Sequence, residues 1–413
     1  MRKLKFRLRS FHFFRLVIFT LLPLNAIFIS CNNIKSANKI LKDEDSISPK
    51  YSIDLEANIN HSELVPLSFL TDKVEYISLQ TNQYSILEKL DQVAISDSFF
   101  FISDTKKIIQ FDSRGRFLRQ IGSNGRGPGE YGYVLDFCIN NKCKEVYILS
   151  YPELLVFDFK GLFKRSIKIV FKSSHFSILN SDRFIFYQIN LPSRTDERLV
   201  SWYLIDSTGK TLSTIRNFYK RINYPGMWID KSPIYFHENN LYFMEFGVDT
   251  LYRLNNLKPE PYSIIKLGKM KMDHDFAFSQ VNRQEELNYL NTKLRISDVF
   301  ESKQSILIKL NWGFSDSTKF GIFDKIKSEI IFLSGAGFKN DWDSGPSFLP
   351  ERQINDTLMV MWLESKIFKA QIACHEFRIS IPKYPEKKKH LENLANSLKE
   401  TDNPVLMIVR LKK

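Results

Sequence analysis

Phe111-Asp112-Ser113-Arg114-Gly115-Arg116-Phe117 is followed by Ile121, and the same pattern returns twice further along the chain. Phe157-Asp158-Phe159-Lys160-Gly161-Leu162-Phe163 is followed by Ile167, and Ile205-Asp206-Ser207-Thr208-Gly209-Lys210-Thr211 by Ile215. Each unit reads as strand, turn, strand. The aspartate can bond the turn backbone, and the glycine can take positive φ. The three glycines lie 46 and 48 residues apart. A period of about 47 residues holding four short strands is the size of one blade of a β-propeller.

Working outward, Asp249–Asn255 and Phe320–Asp324 take the third-strand position of a fourth and a fifth unit. The longer gap between them holds Gln280–Leu294, where Leu287, Leu290 and Leu294 have helical spacing, so a helix-bearing loop insertion is expected. Phe348–Asn355 and Thr357–Glu364 supply two strands of a sixth unit. Leu391, Leu394 and Leu398 mark another short helix, ended by Asn403-Pro404, and Val405–Leu411 reads as the last strand. The missing fourth strand is available at Val74–Leu79. Pairing first and last segments in one blade would close the ring and remove an exposed sheet edge. The expected fold is therefore all-β: a six-bladed β-propeller of four-stranded antiparallel blades over residues 61–413, with short helical insertions. A pair of β-sandwich domains is the main alternative, but sandwiches do not demand an Asp-x-x-Gly turn at fixed period.

The first thirty residues carry Arg2, Lys3, Lys5, Arg7, Arg9 and Arg15 with no acidic residue, then an apolar run from Leu16 to Ile29. That run is short for a membrane span, which needs about 20 apolar residues. It ends at Phe28-Ile29-Ser30-Cys31, which resembles the lipobox of bacterial lipoproteins, in which the cysteine is acylated and becomes the new N-terminus. Residues 1–30 are thus expected to be a signal peptide, Cys31 the lipidation site, and the polar residues 31–60 a flexible tether. Removing the six basic residues of the signal from a net charge of +13 leaves +7. Those charges are scattered apart from Lys387-Lys388-Lys389, which argues against a nucleic-acid partner.

Ile121–Tyr131, containing Gly125-Arg126-Gly127-Pro128-Gly129-Glu130-Tyr131, resembles the bacterial 6-bladed β-propeller lipoproteins related to NHL repeats. Leu64–Leu67 through Glu75–Leu79 is similar to that family's entry segment, and Asn403–Leu406 to its exit. The resemblance spans about residues 61–413 and implies a fold and an envelope location, not an activity.

The glycine-rich stretch is not a phosphate loop, because a strand, Asp136–Ile139, follows it where a helix is required. It reads as an inter-blade connection whose Arg126, Glu130 and Tyr131 shape one rim. Two other irregular segments put tryptophan beside acids: Tyr224–Asp230, with Trp228 and Asp230, and Asn340–Asp343, with Trp342 and Asp343. Aromatic faces flanked by hydrogen-bonding groups suit sugars or peptides, so these residues are the candidate ligand contacts. Asp341 and Asp343 are too few for calcium, which takes about 6–8 oxygens. Lyases resembling NHL propellers use a metal and histidine in the channel, but His175 and His237 are offset by roughly 13 Å at ~3.3 Å per residue, too far to share an ion. Cys138 and Cys143 flank a turn and are either a local disulfide or a buried thiol with a free partner. With no nucleophile elbow and no zinc or cofactor motif, the sequence favours a non-enzymatic binding or scaffold lipoprotein, with a glycan, peptide or envelope protein as partner. A lyase or glycan-active hydrolase at the channel mouth is the alternative.

Overall fold

Each Asp-x-x-Gly turn is built the same way in the computed structural model of the protein, which describes residues 48–188, 200–216, 232–245, 247–273, 283–313 and 317–412. Asp112, Asp158 and Asp206 each accept the amide of the glycine on their backbone carbonyl, and two further amides on Oδ1. Glycine is required for two reasons. Gly115 has φ +78°, and an added Cβ would lie 2.1 Å from the carbonyl oxygen of Ser78, on the outer strand of the neighbouring blade. Gly209 repeats this against Lys168.

Six antiparallel sheets follow. Blade 1 is Gln92–Ile95, Phe99–Ser103, Ile108–Asp112 and Phe117–Ile121; blade 2 is Asp136–Asn140, Glu145–Ser150, Glu153–Asp158 and Phe163–Lys168. Blade 3 is Ser173–Asn180, Arg183–Gln188, Val200–Asp206 and Thr211–Arg216; blade 4 is Ile234–His237, Asn240–Phe243, Thr250–Asn255 and Lys258–Lys266. Blade 5 is Leu294–Glu301, Ser305–Trp312, Thr318–Asp324 and Glu329–Leu333. Blade 6 takes Arg352–Asn355, Leu358–Leu363 and Val405–Leu411 from the C-terminal side and Thr71–Ser78 from the start of the propeller.

The alternating side chains bury their apolar set between blades, not within them. Six clusters lie between consecutive blades, the last joining blade 6 to blade 1. Trp202, fully buried between blades 3 and 4 against Tyr187 and Phe243, is one example. The ring is closed by Val405–Leu411 pairing with Thr71–Ser78, as the spare strand at each end of the sequence implies.

The tether expected over residues 31–60 does not reach residue 60. Tyr51–Asp54 adds a parallel fifth strand to the outer edge of blade 4, and Ser62–Glu63 does so on blade 5. Ile53 and Leu55 are fully buried there, because an open edge with an apolar neighbour is better covered than solvated. Residues 31–47 lie outside the described residues.

The insertion between blades 4 and 5 contains helix α1 (Arg283–Leu290), which ends four residues before the expected Leu294. Leu290 packs on Met272, while Leu294 already opens the inner strand of blade 5. The insertion in blade 6 is more helical than its leucine pattern suggested: α2 (Ser365–Ala373), α3 (His375–Ile379) and α4 (Pro385–Ser397).

Candidate functional site

The innermost strands of the six blades surround a central cavity of about 390 Å³. Polar side chains enter it from every blade, among them Gln92, Cys138, His175, Ser232, Asp298 and Arg352. Regular strands would alternate these residues toward the inter-blade cores. The first strands of blades 3, 5 and 6 instead carry register shifts at Ser173/His175, Ile296/Asp298 and Gln353/Asn355. Such irregularities re-aim side chains, and here both Ser297 and Asp298 line the cavity.

Most charges in this region are matched. Asp136, fully buried, accepts the amides of Phe137 and Phe176 at 2.9 Å, and its Oδ2 lies against Nδ1 of His175. Lys309 Nζ donates to Glu351 Oε2 at 2.8 Å between blades 5 and 6. Two charges are not matched. Asp298 accepts only the amide of Val299, at 3.0 Å, and has no ion pair among the described residues. It keeps some area on the channel while protein surrounds it. Burial therefore pushes its carboxyl up to about 6, against the opposing pull of Lys309, the Val299 amide and His175. Arg352 likewise has no carboxylate partner among the described residues. Its guanidinium faces the sulfur of Cys138, whose thiol is pushed far up by burial and by the negative charge of Asp136, so that it stays neutral and donates to Phe176 O at 3.5 Å. Gln92 Nε2 and Ser232 Oγ, on side chains buried in the same wall, have no hydrogen-bond partner.

A second polar cluster sits at the far end of the inner strands and is closed. Fully buried Glu301 accepts the hydroxyls of Tyr235 and Tyr262 at 2.6 Å each and Lys325 Nζ at 2.5 Å. Lys325 also donates to Ser302 O at 2.7 Å, and His237 Nδ1 lies 3.1 Å from Asp356 Oδ1. Burial and the Glu301 charge raise both phenols. This cluster joins blades 4, 5 and 6 with its acceptors filled, so it acts as an inter-blade clamp. His175 and His237 thus belong to different clusters. Among the described residues, no group of three or more His, Cys, Asp or Glu is arranged to hold a metal.

Several of the residues singled out from sequence are engaged within the fold. Tyr131 is 1% exposed, with its hydroxyl donating to Ile121 O at 2.7 Å and its own ionisation pushed up to about 12 by burial. Glu130 holds the glycine loop by accepting the Gly127 amide at 2.8 Å. Arg126 is exposed on that loop. Trp342 is buried against Tyr384, with ring centroids 4.3 Å apart, and Lys383 lies over it. Asp343 is buried and accepts from Asn340, Tyr76 and the Gly345 amide, a network that ties the N-terminal strand to the blade 5–6 connection. Asp341 accepts both the amide and the hydroxyl of Ser68. The Asn340–Asp343 segment is therefore a fastener: its carboxylates and Asn340 are engaged within the fold, while the buried Trp342 Nε1 has no hydrogen-bond partner. Trp228, Asp230 and Cys31 lie outside the described residues. Cys138 and Cys143 are both free thiols, with Cys143 exposed on the turn. The residues missed from sequence are Asp298, Arg352, Gln92 and Ser232. Gln92 and Asp298 stand out as polar residues in largely apolar inner strands, whereas Ser232 precedes its strand and Arg352 sits in a polar one, so neither carries a local signal.

A family model described as a domain of unknown function, DUF4934, matches residues 50–410. Among solved structures, the fold is similar to a Bacteroides fragilis protein whose name proposes that it is exported. The two are 18% identical, the match covers 88% of this chain and 99% of that one, and the TM-score is 0.70. A member of the DUF4221 family from Bacteroides vulgatus matches at 16% identity over 67% of this chain and 88% of that one, with a TM-score of 0.47. The first likeness shows the shared fold. No curated protein sequence matches the chain.

Proposed function

The chain belongs to the DUF4934 family, and from the chemistry of its channel we propose that it is an exported, lipid-anchored propeller that binds a small polar ligand along the ring axis. One observation carries the ligand reading: Asp298 and Arg352 line the same 390 Å³ cavity with no ion-pair partner among the described residues. Unpaired charges walled into protein cost stability, and folds retain such groups where a ligand completes them.

Export and anchoring are supported by the basic start, the short apolar run and Cys31, and by the similarity to a protein named for export. No helix among the described residues is long and apolar enough to cross a membrane. Acyl chains on Cys31 would contribute about 0.8 kcal/mol per buried CH₂, so several hold firmly. The kinship with NHL-like lipoproteins belongs to this same reading. Metabolic labelling with an alkyne fatty acid tests it: the wild type takes the label and sediments with membranes, and Cys31→Ala does neither. A Cys31→Ala protein that stays labelled rejects the anchor.

The ligand reading is tested by thermal unfolding of the full chain in detergent against glycans, amino acids, peptides and divalent metals. A ligand at 100 times its Kd stabilises by about 2.7 kcal/mol. A shift that disappears in Arg352→Gln supports the channel; a shift untouched by that change moves the site elsewhere. The enzyme reading has one observation in its favour, the Asp298 carboxyl titrating near 6 with His175 close by. Turnover of a panel member, lost in Asp298→Asn with binding retained, would favour a lyase or hydrolase.

A further inference from the structure

We infer that the channel takes a small zwitterion, an amino acid or short peptide with free ends, seating its carboxylate on Arg352 and its ammonium near Asp298. This rests on the channel being a ligand site and goes beyond it by assigning the ligand's charges.

Asp136 has His175 and two amides, Lys309 has Glu351, and Glu301 has Lys325 and two phenols. Long side chains in this ring reach their partners wherever the fold has use for a pair. Arg352 and Asp298 have opposite signs and line one cavity, yet they form no ion pair with each other or with any other described residue.

Each ligand class can be weighed by the charges it leaves behind. A neutral sugar would displace channel water from both groups and pair with neither charge, at the cost of desolvating two ions. A simple anion satisfies Arg352 and leaves Asp298 unpaired, and a simple cation does the reverse. A zwitterion matches both and enters the channel with no net charge. Guanidinium offers its donors in a planar fork that fits a carboxylate with two parallel hydrogen bonds, and Asp298 keeps one carboxylate oxygen without a described partner for an ammonium. Gln92 and Ser232 line the same cavity, with Gln92 Nε2 and Ser232 Oγ buried behind its surface and without hydrogen-bond partners. Ile139, Ile178 and Trp362 add apolar wall for a side chain. A 390 Å³ cavity lies at the small end of ligand sites, which run from about 300 to 1,000 Å³, and so suits an amino acid or a dipeptide.

The experiment is calorimetric titration of the full chain in detergent with the common amino acids and with L-alanyl-L-leucine. The N-acetylated and C-amidated forms of the dipeptide, each keeping one of its two charges, and cellobiose, which has none, serve as controls. We expect saturable binding of at least one free zwitterion, weakened at least tenfold by blocking either end. The variants carry the assignment: Arg352→Gln should become indifferent to C-amidation, and Asp298→Asn to N-acetylation. Each variant deletes an uncompensated charge, so both should melt at or above the wild-type temperature, which separates lost binding from lost folding. Equal binding of the N-acetylated ligand, or no heat from any zwitterion, overturns the inference. Should cellobiose or another ligand without an amino group bind in an Arg352-dependent way, the zwitterion assignment fails and the channel reading stands. Should a zwitterion bind equally to wild type and both variants, the two fail together.

Discussion

Replacing Lys325 by methionine should cost the protein several kcal/mol without touching the channel. Lys325 Nζ donates to Glu301 at 2.5 Å, and the Glu301 side chain is fully buried. Methionine keeps the length of the side chain and removes its charge, leaving a buried carboxylate held by the hydroxyls of Tyr235 and Tyr262, with His237 Nε2 3.9 Å from it. Breaking one side of a buried pair costs about 3–5 kcal/mol. The two phenols keep donating, so the lower end, ~3 kcal/mol, is expected. An unfolding entropy of about 2.1 cal/mol/K per residue over the roughly 360 residues of the family match gives ~0.75 kcal/mol/K. The melting temperature should therefore fall by about 4 °C, the quotient of those two figures. Adding Glu301→Gln removes the stranded charge, so the double variant should recover at least half of the loss, with a coupling of about 2 kcal/mol in the double-mutant cycle. Calorimetric melting of the four proteins reads all of this. A single variant that melts with the wild type, or a double variant no better than the single, would refute the clamp.

Asp298→Asn should stabilise the protein, and only at neutral pH. Its folded-state value near 6 lies above the ordinary carboxylate range, so the folded protein holds a proton that the unfolded chain has released. Stability therefore falls as pH rises from about 4 to 6, and the advantage of the asparagine variant should vanish by about pH 4 in melting scans. Gly115→Ala should destabilise by more than the ~1 kcal/mol of a strained φ alone, because the new Cβ meets the Ser78 carbonyl and pushes on the closing blade; denaturant midpoints test it. Asp341→Ala removes both acceptors of Ser68 and should loosen the segment before Thr71, seen as faster proteolysis between residues 55 and 70 with the rest of the ring intact. Trp202→Ala should cost about 3–5 kcal/mol through the cavity left between blades 3 and 4, measured by chemical denaturation.

The fold could be read from sequence because the same physical problem recurs in each blade. A tight third-to-fourth-strand turn, pressed on the neighbouring blade, calls for aspartate and glycine, and blades 1 to 3 keep both. Blades 4 and 5 reach a similar geometry with Asn256, Leu257 and Ser328 at positive φ, so their turns carry no such signature, and only their spacing revealed them. Ring closure followed from a strand left over at each end. The edge strand at Tyr51–Asp54 was hidden, because four residues in a polar stretch show no periodicity until blade 4 is there to receive them.

The candidate site was hidden for a different reason. Trp342, Asp343, Glu130 and Tyr131 have the composition of ligand contacts, and composition does not show where a side chain ends up; Trp342 is buried in the fold, and Asp343, Glu130 and Tyr131 hydrogen-bond within it. Gln92, Ser232, Asp298 and Arg352 come from four blades and meet only because the ring brings first strands together. The shift between Ile296 and Asp298 decides that the carboxylate enters the channel, and a one-residue irregularity of that kind leaves no mark in a local pattern.

The most direct measurement is a crystal structure of the protein with whichever ligand stabilises it in the thermal screen. The account predicts density on the ring axis, in contact with Arg352 and Asp298. Density on a rim loop or a blade flank, with the channel holding only water, would contradict it.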